Sequence, residues 1–216
     1  MTEQEVSSWL LANPDFFNER PDLLAEIAVP HPDTGQAISL PERQMLVLRE
    51  KLQLLQEKMA ELVRFGEEND VIGERVHRFS LSLLEANSIE AVCRAIDSHL
   101  VDDFSVPHVA LRIWNSIIIR ETPEFAPVSE TLRFFAADLR QPYCGPANQP
   151  EVSGWFGEAG DHVRSVTLMP LRRDGVAFGM LALGSEDIER FYPEMGTLYV
   201  ARIAELVSSA LIRYVG

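Results

Sequence analysis

The residues best suited to chemistry are two cysteines, Cys93 and Cys144. The sequence has no Cys-x-x-Cys, His-x-x-x-His or Gly-x-Gly-x-x-Gly motif, so it lacks the patterns of a paired-thiol centre, a helical metal site and a phosphate-binding loop. Cys93 falls on the apolar stripe of a predicted helix, which favours a small, inert core residue. Cys144 falls in a predicted loop near Arg140, so we expect it to be the more accessible thiol. These patterns predict no catalytic residue, no cofactor and no metal ligand.

A second group of residues has the composition of a ligand site. Residues 106–114 alternate in polarity as a half-buried strand does. The mixed face of this strand consists of His108, Ala110, Arg112 and Trp114. By the same period of two, a face of a later strand consists of Ser165, Thr167 and Met169. We expect both faces to look toward the irregular segment 121–162, whose aromatic residues would close a pocket over them.

The predicted pocket has apolar and aromatic walls with a few polar groups, as small-molecule sites do. A guanidinium in it favours a carboxylate or phosphate, so the expected ligand is a small anion. The predicted ligand-binding residues are Arg112, Trp114, Tyr143, Cys144, Trp155, Ser165 and Thr167. The alternative is that Arg112 pairs with one of the 33 acidic residues and that the aromatic side chains fill the space.

The elements that would position these residues follow from periodicity and turn signals. Apolar residues at helical spacing predict a helix over 89–104, and Asp174-Gly175 is typical of a hairpin turn. The other predicted elements are a strand over 106–114, a strand over 117–120 paired to it through Asn115-Ser116, a helix over 129–139, a tight loop over 142–146, strands over 163–172 and 176–184, and a helix over 193–214.

The stretch 39–86 is predicted to be one long helix. Ser39 and Glu42 form a capping-box pattern, and Pro41 lies in the first turn, where a missing N–H costs nothing. Steps of three and four between apolar residues are the signature of a coiled-coil seam, with one stammer at Phe65. The predicted dimer-interface residues on this seam are Leu48, Leu52, Leu55, Met59, Leu62, Asn69 and Ile72.

Asn69 is the polar residue of this seam, and such a residue usually fixes register or strand number. Off-seam residues such as Leu54 and Val63 widen the apolar surface. The helix could therefore also pack within its own chain, with residues 1–38 covering one side. Those residues predict three short helices, over Glu3–Ala12, around Phe16-Phe17 and from Pro21, followed by a loop over 30–35.

Composition limits the class of protein. The 216 residues are 46% apolar and 24% charged, which is typical of a globular chain. No apolar run approaches the length of about 18 residues that a membrane span needs, and the acidic N-terminus is unlike a signal peptide, so we expect a cytoplasmic protein. A net charge of −14 disfavours direct binding to nucleic acid.

The order of predicted elements is that of a GAF or PAS-like α+β module, an antiparallel sheet with terminal helices, here preceded by the long helix and a short helical segment. The predicted domains are 1–38, 39–86 and 87–216. Several motifs, in this order, resemble one bacterial family known as domain of unknown function 484. They are Asn13-Pro14-Asp15-Phe16-Phe17, Pro21-Asp22-Leu23-Leu24, Pro30-His31, Ser39-Leu40 with Glu42, Val106-Pro107 with Ala110-Leu111-Arg112, Tyr143-Cys144-Gly145, Pro170-Leu171, Gly179 through Leu183-Gly184-Ser185, Arg190-Phe191 and Met195-Gly196-Thr197.

The resemblance spans nearly the whole chain and implies a GAF-like fold in a proteobacterial cytoplasmic protein. Genes of this family often lie beside one for a tyrosine recombinase, which suggests a protein partner. The family brings no assigned activity, catalytic residue or ligand. Three hypotheses follow: a homodimeric, non-enzymatic sensor or ligand-binding module; a ligand-free scaffold that binds another protein; and, as a remote alternative, a thiol-dependent enzyme.

Overall fold

A computed structural model describes residues 2–30, 37–118, 120–193 and 195–215, with every side chain in these ranges except those of 24–26, 28, 30 and 37–39. The chain divides into two compact units, Met1–Glu68 and Asn69–Gly216. The boundary falls inside one long helix, α4 (Leu40–Glu85). The three-part domain division stays a prediction.

The first unit begins with three short helices, as predicted: α1 (Glu3–Ala12), α2 (Phe16–Glu19) and α3 (Pro21–Glu26). Helix α1 starts at a capping box in which the Thr2 hydroxyl accepts from the Glu5 amide and the Thr2 amide donates to Glu5. Trp9 and Phe16 stack edge to face at 5.2 Å, so α1 and α2 contact each other through aromatic rings.

Two short antiparallel strands, β1 (Ala28–Pro30) and β2 (Ala37–Ser39), follow in this unit and were not predicted. The long helix confirms the prediction over 39–86 to within one residue at each end. The predicted loop over 30–35 lies, apart from residue 30, outside the described residues, and so does the side chain of Ser39 in the predicted capping box.

The second unit is built on a four-stranded antiparallel sheet in the order β3-β6-β5-β4. Its strands are β3 (His108–Ile113), β4 (Tyr143–Pro146), β5 (Ser165–Arg173) and β6 (Val176–Ser185). Its helices, besides the end of α4, are α5 (Ile89–Ser98) with a π-helical turn at His99–Asp103, α6 (Glu130–Asp138), α7 (Pro150–Gly154) and α8 (Leu198–Val215). The predicted α+β class, an antiparallel sheet with terminal helices, is confirmed.

Two predicted elements of this unit are wrong. Residues 117, 118 and 120 are not a strand, because after Asn115 the chain turns to α8, where the Ile117 amide donates to the Val215 carbonyl at 3.3 Å. The antiparallel neighbour of β3 is instead β6, a strand far along the chain. The segment around Cys144 is an edge strand paired with β5, not a tight loop. Pro146 is compatible with that position, since a proline at the end of an edge strand leaves no ladder bond unmade.

The sheet has two covered faces. We call the side packed against α5, α8 and the end of α4 the helix face, and the side packed against α6 and α7 the insert face. Val109, Leu111 and Ile113 of β3 lie on the helix face, as predicted, with Phe79 of α4 and Val207 of α8 in the same core. The core of the insert face includes Ala110, Trp114, Leu132, Val152, Leu168, Met180 and Ala182.

Candidate functional site

Four predicted ligand-binding residues lie on or over the insert face, and three of them donate hydrogen bonds within the protein. The Arg112 guanidinium lies 5.0 Å from the centre of the Trp155 ring, and its Nη1 donates to the Leu111 carbonyl at 2.9 Å. Trp114 Nε1 donates to the Ala177 carbonyl at 3.1 Å. The Tyr143 hydroxyl donates to the Pro146 carbonyl at 3.1 Å. These three side chains therefore use donors within the protein, whereas Nε2 of His108 on the same face is buried and has no hydrogen-bond partner among the described residues.

The other three predicted ligand-binding residues lie on the opposite face of the sheet. In the observed register Thr167 pairs with Leu183 and Cys144, and this row of residues alternates with the row of Ala110, Ala182 and Leu168. The hydroxyl of Thr167 lies 3.4 Å from the Cys144 sulfur. Ser165 donates to the Asp187 carbonyl at 2.6 Å. The expectation that these residues share a face with Arg112 is wrong, because period two fixes faces within a strand but not the register between strands.

Side chains fill the space in which the insert-face pocket was predicted. Leu168, Met180 and Ala182 are fully buried beneath the insert. A Cβ atom added at Gly184 would lie 3.0 Å from the Phe156 ring, so this ring packs directly on the strand. Among the described residues no carboxylate forms a salt bridge with Arg112. Burial lowers the pKa of Arg112 below its ordinary value, and the charge of Glu124 partly opposes this effect.

The two cysteines have the reverse of the predicted exposure. Cys144 is buried on the helix face and Cys93 is only half-buried on α5, so the expectation of a more accessible Cys144 is wrong. Burial, with a smaller contribution from Glu124, raises the pKa of Cys93 to about 11. Burial also raises the pKa of Cys144, against the hydrogen bond to Thr167. Both thiols are thus poor sources of thiolate at neutral pH.

A cavity with a volume of about 460 Å³ opens on the helix face of the second unit. Its walls come from α4, the π-helical turn, β6 and α8, and from the segment between β6 and α8. Buried apolar side chains form its floor, among them Leu100, Val106, Leu183, Phe191, Val200 and Ile203. This is the size of a small-molecule site, for which ~300–1,000 Å³ is usual.

Two arginines border this cavity, Arg75 on α4 and Arg190 on the segment before α8. Arg190 Nη2 donates to the Phe104 carbonyl at 3.0 Å, whereas its Nε is buried and has no hydrogen-bond partner among the described residues. Neither arginine forms a salt bridge within the described part of the chain. The cavity thus combines apolar walls with two guanidinium groups.

Sequence reasoning missed this site. Arg190 and Phe191 were noted only as one of the motifs that resemble the family, and no physical role was assigned to them. Arg75 follows Ile72 by three residues, which places both on one side of α4, and this spacing was the available signal. What brings Arg75 and Arg190 to one cavity is tertiary packing, which no local pattern reports.

The predicted dimer-interface residues fall into two groups. Five of them are between 57% and 69% exposed and lie in the first unit, namely Leu48, Leu52, Leu55, Met59 and Leu62. The other two, Asn69 and Ile72, line the helix-face cavity. The Asn69 carbonyl accepts a hydrogen bond from the Tyr199 hydroxyl at 3.1 Å. The dimer interface itself stays a prediction.

None of the helices in the described ranges is both long enough and apolar enough to cross a membrane. No group of three or more His, Cys, Asp or Glu side chains is placed to hold a metal ion in the same part of the chain.

Comparison with known proteins gives one family over the whole chain. The family described as "Protein of unknown function, DUF484" matches residues 1–216. Two relatives, both called "Uncharacterized protein YigA", are 25% identical over 222 residues in Salmonella typhimurium and 26% identical over 226 residues in Escherichia coli K12. Each alignment covers 100% of this chain and 93% of the relative.

Solved structures resemble the chain at lower identity. A GAF domain of A. aeolicus nlh2 in an inactive state matches with a TM-score of 0.45 and 14% identity, covering 67% of this chain and 98% of its own. Free methionine-R-sulfoxide reductase from Neisseria meningitidis, solved in complex with its substrate, matches with a TM-score of 0.47 and 15% identity, covering 65% and 88% respectively.

Proposed function

The chain belongs to the DUF484 family, and we propose that it is a non-enzymatic, GAF-like ligand-binding module that works as a homodimer. The observation that carries the proposal is the helix-face cavity of about 460 Å³ with its two arginines. Its composition, apolar walls with a few convergent polar groups, supports a small-molecule site. The high pKa of Cys93 and the burial of Cys144 argue against a thiol-dependent enzyme.

The position of the cavity suggests how a ligand would affect assembly. Asn69 and Ile72 belong both to the predicted seam and to the cavity wall. A ligand that contacts these residues in one state of the dimer and not in another would shift the equilibrium between the states. The differential contact is what makes this a sensor and not only a binding protein.

The homodimer rests on the exposed seam of the first unit. Leu48, Leu52, Leu55, Met59 and Leu62 follow one another at steps of four, three, four and three, and all are exposed. A second copy of the same helix matches such a seam residue for residue, because knobs and holes repeat with the same spacing on both strands. We therefore propose a second copy of this chain as its occupant.

Native mass spectrometry of the freshly purified full chain tests both parts of the proposal. We expect twice the chain mass plus a bound small molecule. The double variant Leu55→Glu, Met59→Glu should be monomeric, because two charges on each helix would face the apolar seam of the other helix. The matched control is Leu54→Glu, an exposed neighbour off the seam. A monomeric wild-type protein at micromolar concentration would remove the dimer.

A ligand-free scaffold that binds another protein is the second candidate. The contact between Phe156 and Gly184 favours it, because it leaves the insert face without a ligand volume. A dimer that never carries or accepts a small molecule in the helix-face cavity would leave the scaffold as the better account.

A further inference from the structure

We infer that the helix-face cavity takes an amphipathic anion, a small molecule with an apolar body and one carboxylate, phosphate or sulfonate group. The inference rests on the proposed small-molecule function and adds the chemical class of the ligand. It moves the anion site from Arg112, which is stacked on Trp155, to the arginines of the opposite face.

The apolar body follows from the floor of the cavity. Leu100, Leu183 and Ile203 are buried there, on three different elements. These side chains have no polar groups, so a polar ligand body would lose its hydrogen bonds to water and gain none from them. An apolar body instead gains free energy by leaving water.

The anionic group follows from Arg190. One of its terminal nitrogens donates to the Phe104 carbonyl and its guanidinium carbon lies 5.6 Å from the centre of the Phe191 ring, while the buried Nε lacks an acceptor among the described residues. A buried donor without a partner is unfavourable, and a charged acceptor is the strongest remedy. A planar guanidinium also matches the paired oxygens of a carboxylate or phosphate.

Arg75 places a second cation at the same cavity. The chain has 33 acidic residues and 19 lysines and arginines, so an arginine has many possible acidic partners. Nevertheless, no described acidic side chain forms a salt bridge with Arg75 or with Arg190. Two such cations beside one apolar cavity favour an anionic ligand over a neutral one, because an anion is stabilised by nearby opposite charges.

The probes for the test are 8-anilinonaphthalene-1-sulfonate and its uncharged analogue N-phenyl-1-naphthylamine, titrated separately into the full chain by fluorescence. We expect Arg190→Gln and Arg75→Gln each to weaken binding of the sulfonate by about tenfold or more, as loss of a charge-assisted hydrogen bond implies. Binding of the neutral analogue should change by less than about twofold. Arg164→Gln is the control, an exposed arginine that does not line the cavity.

Two further variants locate the probes. Val200→Phe should fill the cavity and reduce binding of both probes. Gly196→Leu should narrow its edge without disturbing the core, because a Cβ atom at Gly196 meets no atom within 4 Å. This second variant keeps the test decisive if Val200→Phe does not fold, as judged by circular dichroism. Displacement of the sulfonate by decanoate and by decyl phosphate then distinguishes the two natural anion chemistries.

The outcomes separate the ligand class from the proposed function. If the arginine variants weaken binding of the sulfonate but not of the neutral analogue, the inference is supported. If the cavity-filling variants weaken binding of both probes but the arginine variants change binding of neither, the anionic class of ligand is wrong and the small-molecule site stands. If the cavity-filling variants change neither probe, the cavity is not a site, and both the inference and the ligand-binding function fall.

Discussion

The two faces of the sheet are built from alternate residues of the same strands, yet they differ in what they leave open. Short elements cover the insert face, and their large side chains reach the strands directly, as Phe156 does at Gly184. Long helices cover the helix face, and a cavity of about 460 Å³ remains beside the segment that leads into α8. An irregular insert thus does not by itself imply a pocket beneath it.

Each face leaves a buried nitrogen without a hydrogen-bond partner among the described residues, His108 Nε2 on the insert face and Arg190 Nε on the helix face. The surroundings of these two side chains differ. His108 lies 6.1 Å from the Phe156 ring, which packs on the strands, whereas Arg190 lines a cavity of about 460 Å³. An unpartnered buried nitrogen on a side chain that lines a cavity is a functional hypothesis.

The first test of this comparison truncates a leucine on each face. Leu168 is 0% exposed in the filled insert face, and Leu183 is 2% exposed beside the helix-face cavity. We expect Leu168→Ala to cost near the upper end of about 2–5 kcal/mol and Leu183→Ala near the lower end, because a residue that already borders a void loses fewer contacts. The measurement is the free energy of unfolding in urea. Equal losses would show that the two faces are packed alike.

The sequence was sufficient for the elements whose signals are local. The long helix, the Asp174-Gly175 hairpin and the capped helix that Ser129 begins were all predictable from capping, turn chemistry and period. Within β3, alternation also gave the correct helix-face residues. These signals act over a few neighbouring residues and need no knowledge of the rest of the fold.

The candidate site was not predictable in the same way. Ser165 and Thr167 were placed on the wrong face because their register to β6 is set by pairing along the whole strand. Cys144 was placed in a loop because two prolines flank it, whereas an edge strand tolerates a proline at its end. Arg75 and Arg190 are far apart in sequence, and only the packed chain brings them to one cavity.

A second test concerns the thiols of the helix face. The pKa of Cys93 is raised from 9.0 to about 11, so at pH 8 we expect its alkylation by iodoacetamide to be about a hundredfold slower in the native protein than in urea. Because the folded protein holds this proton more tightly, the native rate should keep rising between pH 9 and 11, where the unfolded rate levels off. The same shift makes this thiol's contribution to stability fall as the pH rises through that range.

The Cys144→Ser variant isolates Cys93 for this measurement. Mass spectrometry of the labelled protein identifies the site of reaction. A native rate for Cys93 that matches the unfolded rate at pH 8 would place the thiol in water, and the packing of α5 on the helix face would then be wrong.

A third test asks what holds the insert on its face. The Arg172 guanidinium donates to the carbonyls of Ala136, Ala137 and Leu139 at the end of α6, and to Gly175 in the hairpin. It thus satisfies carbonyls that a helix end leaves unpaired. We expect Arg172→Met to lower the free energy of unfolding by about 1.5–3 kcal/mol. Arg173→Met, at the exposed neighbouring position, should change it by less than about 0.5 kcal/mol.

Hydrogen exchange of the amides of α6 sharpens this result. In Arg172→Met they should exchange faster than in Arg173→Met, while those of α8 stay protected in both. Uniform loss of protection over the whole second unit would mean that Arg172 stabilises the fold in general and does not specifically hold the insert.

The smallest expected difference in stability is between substitutions of two glycines, Gly184 beneath the insert and Gly196 at the helix-face cavity. A Cβ atom at Gly184 would lie 3.0–3.1 Å from the Phe156 ring and from Val163, whereas one at Gly196 meets nothing within 4 Å. We expect Gly184→Ala to cost about 1–2 kcal/mol through overpacking. Gly196→Ala should be neutral or slightly stabilising, by up to ~0.5 kcal/mol, because alanine restricts the unfolded chain.

A double-mutant cycle between Gly184→Ala and Phe156→Leu assigns the cost of the first substitution to the ring. Because a leucine leaves room for the added methyl group, the double mutant should lose less than the sum of the single losses by about 0.5 kcal/mol or more. Additive losses would mean that Phe156 does not press on the strand. The insert face would then have room beneath it, and Arg112 and Trp155 would again be candidates for a ligand site.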